Sequence, residues 1–167
     1  INTIKMKKIT FILLALISGT AFAQNSAKAT GTAQVNAEIV SPIKIENGTA
    51  LDFGRIIGNS AGGDVMIATN GTRTSTNDDL LDPTNEGSAG SFDVTAAKGY
   101  AYSITINDIV LSGAGDDMDV TFDNNLGESS TGTGSTQDLN LGGTLTVNAS
   151  QAEGDYQGEV KVTVAYE

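Results

Sequence analysis

The chain has no cysteine, no histidine and no tryptophan among its 167 residues, and only two prolines, Pro42 and Pro83. Without cysteine there is no disulfide and no thiol nucleophile, so stability rests on packing, on the sheet or on partners. Without histidine the commonest general base, proton shuttle and metal ligand is missing. Aromatic residues make up 5% of the chain, too few to line a sugar site. Basic residues are scarce: nine Lys and Arg face 20 Asp and Glu, for a formal net charge of −11. Such a surface repels nucleic acid and anionic membranes, and it keeps a secreted particle from sticking to itself. There is no G-x-S-x-G, so nothing marks a nucleophile, and the acids cluster in turns rather than pairing across a cleft. These absences point away from catalysis, and no cofactor is expected.

What is present begins with a leader. Met6-Lys7-Lys8 is basic, Ile9 to Ile17 is apolar apart from Thr10, and Ala21-Phe22-Ala23 fits the small-x-small cleavage rule. Cleavage is expected before Gln24, with Met6 as the start and residues 1–5 upstream of it. The apolar run is shorter than the roughly 20 residues that span a bilayer. The expected destination is the periplasm in transit, then the cell surface or the medium, with no membrane span after cleavage. The expected organisation is a leader at 1–23, an amino-terminal extension at 24–40 and one domain at 41–167.

After the leader the pattern has period two. Ala33, Val35, Ala37 and Ile39 alternate with Thr32, Gln34, Asn36 and Glu38, and Ile43 and Ile45 keep that parity beyond Pro42. Further strands are expected at Leu51–Ile57, Val65–Ala68, Thr72–Thr76, Phe92–Ala96 and Tyr100–Ile106, the last extended by Ile109–Leu111. Others are expected at Met118–Phe122 and Leu139–Val147, with Gly142-Gly143 as a bulge or bend. Asn77–Gly90 and Asp123–Asp138, low in apolar content, read as long mobile surface loops. Short strands between turn signals, with no helical period, predict an all-β antiparallel sandwich.

The end of the sequence has the clearest alternation. Tyr156, Val160, Val162, Val164 and Tyr166 share one parity, and Gln157, Glu159, Lys161 and Thr163 take the other. One face is apolar and the other wet. With only Glu167 beyond it, this strand is expected to present an edge open to another chain.

Asp116, Asp117, Asp119 and Asp123 offer oxygen ligands for calcium, but not in the spacing of a twelve-residue calcium loop. Asp78, Asp79 and Asp82 form a second acidic group. For both, a solvated acidic surface is the plainer reading. Asn47, Asn70 and Asn148 fit the glycosylation pattern, although Asn47-Gly48 and Asn70-Gly71 also read as turns.

Leu51-Asp52-Phe53-Gly54 resembles the "L-x-F-G" element of secreted pilin-like families. The ending from Gly154 to Tyr166 resembles their terminal "G-x-Y-x-x-x-V-x-V-T-V-x-Y". The group resembled is that of spore coat protein U and the archaic chaperone–usher pilins, together with an uncharacterised secreted relative. Many such pilins carry a disulfide between early strands; this chain has no cysteine, which favours the uncharacterised relative. The resemblance implies an immunoglobulin-like sandwich lacking its final strand, completed by the extension of a neighbouring subunit. It implies like subunits, a periplasmic chaperone and an outer-membrane usher as partners. Ala29, Gly31, Ala33, Val35 and Ala37 would then plug a neighbour's groove, with Tyr156, Val160, Val162, Val164 and Tyr166 as its rim. The competing reading makes Ala29 to Ile39 the first strand of the chain's own sheet.

Overall fold

A computed structural model describes residues 28–167; the leader and residues 24–27 of the extension lie outside the described residues. Among the described residues ten strands form: β1 Lys44–Thr49, β2 Gly63–Ile67, β3 Arg73–Ser75, β4 Gly90–Thr95, β5 Ala101–Ile106, β6 Ile109–Leu111, β7 Met118–Asn124, β8 Ser129–Thr131, β9 Thr136–Val147 and β10 Val162–Tyr166. The described residues contain no α-helix and one 3-10 turn, Asp78–Leu80. No helix among them is long and apolar enough to cross a membrane. Every strand pair is antiparallel. The fold is an all-β antiparallel sandwich, built from a seven-stranded sheet and a three-stranded sheet in the order β10-β5-β8.

The twelve-residue β9 organises the larger sheet. Leu141 pairs with Gly90 of β4 and with Asn124 of β7, and Leu145 pairs with Val65 of β2 and with Val120 of β7. Thus β4 and β2 follow one another along one edge of β9, while β7 takes the other edge. The changeover falls at Gly142. A side chain there would run into the Ile67 carbonyl and the Asp123 carboxylate, so only glycine fits. Pairing continues through Gly142 and Gly143 in register with Asp123 and Phe122, so the bulge expected at these glycines does not form.

Two apolar clusters sit on β9. One contains Val94, Ala96, Tyr102, Ile104 and Leu139, with Val162, Val164 and Tyr166 packed against it. The other contains Phe53, Val65, Ile67, Leu80, Met118, Val120, Leu145 and Val147.

Several expected elements come out differently. Residues 28–42 form no strand and are exposed throughout, so Ala29–Ile39 is not the first strand of the chain's own sheet. Alanine and glycine bury too little area to offset the ordering of the backbone. Leu51–Ile57 makes isolated bridges, Asp52 with Ser88 and Ile56 with Leu81, instead of a ladder. Ile109–Leu111 does not extend β5; it pairs with β7 in the other sheet. Asn77–Gly90 is anchored by Leu80, which is fully buried. Asp123–Asp138 is not one long loop: it holds the end of β7, all of β8 and the start of β9. Its Ser and Thr residues need little apolar content, because β8 is an edge strand held by its backbone to β5. The last strand is shorter than its pattern. Tyr156 and Val160 precede β10, although both keep the half-buried parity.

Candidate functional site: an open groove over one half of the core

One wall of the site is the Leu51-Asp52-Phe53-Gly54 segment and the residues after it. Phe53 is buried in the core, and Leu51 and Ile56 pack against it. Gly54 has φ of 74° and Gly87 has φ of 73°; a side chain on Gly54 would strike the Asn85 carbonyl, and one on Gly87 the Asp52 carbonyl. The wall and the 80–88 segment therefore touch backbone to backbone. Asp52 and Ser88 exchange N–H···O bonds of 2.9 and 2.7 Å, Arg55 N–H donates to Asn85 O at 3.2 Å, and Ile57 N–H donates to Leu80 O at 2.9 Å. The backbones of Phe53 and Ile56 take no part in these bonds.

The opposite wall is Tyr156 to Val160. Gln157 and Ser112 exchange two bonds of 3.0 Å, and the Tyr156 hydroxyl donates to Ala152 O at 2.9 Å. Gly113 lies so close to the Tyr156 ring that a side chain at 113 would collide with it. Beyond this wall β10 pairs with β5 on one side only, at the edge of its sheet. At its end the Tyr166 hydroxyl accepts from Ala97 N–H at 2.7 Å and donates to Ser41 O at 2.9 Å.

Between the walls lies a cavity of about 890 Å³. Ile109, Leu111, Met118, Val120, Leu145 and Val147 form its floor. The floor is apolar because these residues share the inward parity of β6, β7 and β9. Among the described residues no polar or charged side chain is fully buried.

Behind the first wall, Arg73 on β3 donates from Nη2 to Arg55 O at 2.7 Å, and from Nη1 to Asn85 O at 3.0 Å and Asp82 O at 3.2 Å. Its Nε is buried without a partner. Burial lowers the Arg73 pKa, opposed by the charges of Asp82, Asp52 and Glu86. The Asp82 carboxyl lies below its ordinary value, chiefly through hydrogen bonds from the Thr84 hydroxyl and N–H, with help from Arg55 and Arg73. Arg55 Nη1 stands 3.6 Å from Asp82 Oδ2.

The structure divides the residues singled out from sequence. Tyr156 and Val160 line the groove, whereas Val162, Val164 and Tyr166 pack on the closed half. Ala29, Gly31, Ala33, Val35 and Ala37 are all exposed, Val35 at 94%, and the adjoining Ile39 at 97%. Asp116, Asp117, Asp119 and Asp123 do not converge; no group of three or more acidic side chains among the described residues is placed to hold a metal ion. The floor residues were legible as strand residues, but not as the floor of a groove. Arg73 was missed; the signal was a lone cation in the otherwise neutral run Thr72–Thr76.

The fold and the groove define an antiparallel β-sandwich with one half of its core covered by bridged segments and a groove instead of a ladder. Residues 43–166 match the family described as Domain of unknown function (DUF4402), and the chain belongs to that family. The match runs from the residue before β1 to the end of β10, and the extension lies outside it. No curated protein and no solved structure matches the chain.

Proposed function

We propose that this protein is a non-catalytic structural subunit of a secreted cell-surface fibre, assembled by strand addition. The extension at residues 24–40 of one copy lies in the groove of the next and supplies the strand that an immunoglobulin-like sandwich would otherwise lack. The observation that carries this reading is the pairing, within one chain, of an apolar core face without a ladder over it and an exposed segment alternating small and branched apolar residues. In strand addition, backbone bonds supply affinity and alternate side chains fill pockets. A contact between unlike surfaces of identical copies need not close, so it propagates into a fibre. Partners are like subunits and, by the resemblance of the terminal motif, a periplasmic chaperone and an outer-membrane usher.

A cavity of about 890 Å³ also falls in the size range of small-molecule sites. That favours a second reading, a secreted module binding its ligand as a monomer. Size-exclusion and electron microscopy of residues 24–167 separate the two. Ladders or fibres are expected; a folded, sharp monomer at high concentration would overturn the fibre reading. Val35→Asp should block assembly while the monomer melts as wild type does, because a charge in a dry groove costs several kcal/mol. Gln34→Asp, on the opposite parity, should assemble normally.

A further inference from the structure

We propose that Arg73 is a positioning residue for the groove, holding the Asp52–Ile57 wall where an added strand must meet it. This rests on the groove being a strand-binding site. The wall has no sheet ladder of its own. Three guanidinium bonds from Arg73 end on the carbonyls of Arg55, Asp82 and Asn85, on both sides of the seam between the wall and the 80–88 segment. The Arg73 backbone is itself fixed, because Arg73 pairs with Ile67 of β2, whose side chain belongs to the same buried cluster as Met118, Val120, Leu145 and Val147 of the groove floor. The side chain thus ties the sheet to the wall.

The bonds end on main-chain oxygens, so they set the backbone path, and the backbone is what a docking strand pairs with. The chemistry requires arginine. A planar fork reaches several carbonyls in fixed directions, whereas lysine offers one compact charge on a flexible stem. The three bonds leave from two nitrogens of one plane, so a lysine replacement has no equivalent geometry to adopt.

The test uses the assembly-blocked Val35→Asp protein and a fluorescent peptide with the native sequence of residues 28–40, read by anisotropy. Adding Arg73→Lys should weaken peptide binding about tenfold or more, as expected for loss of charge-assisted bonds at the wall. Hydrogen exchange should rise at residues 52–57 and 80–88, with β5 and β10 unchanged. Ser75→Ala is the control. It removes hydroxyl bonds to Asp64 O and Asn77 O on the same strand, so it should lower Tm without weakening the peptide. Equal peptide affinity with and without Arg73→Lys overturns the role of Arg73 alone. No peptide binding by the protein that keeps Arg73 overturns the groove reading beneath it. If Arg73→Lys does not fold, the protein that keeps Arg73 still decides: amides of Arg55 and Ile57 as protected as those of β2 support the clamp, and loop-like exchange there overturns it.

Discussion

The two halves of the sandwich share a strand and differ in their cover. β9 contributes Leu139 to one cluster and Leu145 and Val147 to the other. Over the first half lies a hydrogen-bonded layer, β10-β5-β8, beneath which Val94 and Leu139 are completely buried. Over the second half lie bridged segments, Leu51–Ile57 and Tyr156–Val160, with the groove between them. An apolar sheet face needs a second layer. A ladder closes the layer, because each strand carries side chains at every second position; two separated rims bury Val120, Leu145 and Val147 but leave Ile109 and Leu111 only partly buried. The same parity rule therefore makes a core in both halves, and in the second a groove that is the docking surface under the proposed function.

The largest test of this contrast is a pair of truncations. Tyr102→Ala in the closed half should cost about 3–5 kcal/mol, enough to unfold much of a domain whose total stability is about 5–15 kcal/mol. Met118→Ala, on the groove floor, should fall near 2 kcal/mol, the low end for such changes. Urea melts giving equal costs would break the contrast. A second pair adds volume. Val94→Phe should cost about 1–3 kcal/mol through overpacking, whereas Leu111→Phe should leave the monomer unchanged and block fibre formation. If Leu111→Phe assembled normally, the groove would not be the docking site.

A middle-sized effect is expected at Gly54→Ala. The left-handed backbone there costs about 1–2 kcal/mol for a residue with a side chain, and the contact with Asn85 adds to it. Thermal melts should show the loss, and Gly127→Ala, at positive φ with no close neighbour, should lose less. The smallest effect is electrostatic. The Asp82 carboxyl is depressed in the folded state, so its contribution is full above the ordinary value of 3.8 and fades as pH falls through its lowered value. Asp82→Asn should lower stability by a small constant amount from neutrality down to the ordinary value and remove the acid-limb slope from a stability–pH curve, leaving the acid end unchanged.

Period-two alternation, read residue by residue, was enough for the fold class, for most strands and for the apolar parity of Tyr156 to Tyr166. That is because alternation of faces is local: each residue's side is set by its neighbour's. Which strands pair, and which face lacks a cover, were not local. Ile109–Leu111 follows β5 directly in the chain yet belongs to the opposite sheet, a choice made by its pairing with Met118–Val120. Ser129–Thr131 has no apolar pattern and is a strand only because Ala101–Ser103 accepts it as a neighbour. Leu51-Asp52-Phe53-Gly54 was legible as a motif, but its meaning depends on Gly54 and Gly87 meeting from distant parts of the chain. Arg73 is one cation in the sequence and a clamp only where three distant carbonyls converge. Sequence by itself determined that this chain makes amphipathic strands, because that follows from composition and parity. Tertiary structure alone decided that one half of the core is covered by a ladder and the other by two bridged rims, because that cover depends on backbone hydrogen bonds between segments far apart in the chain.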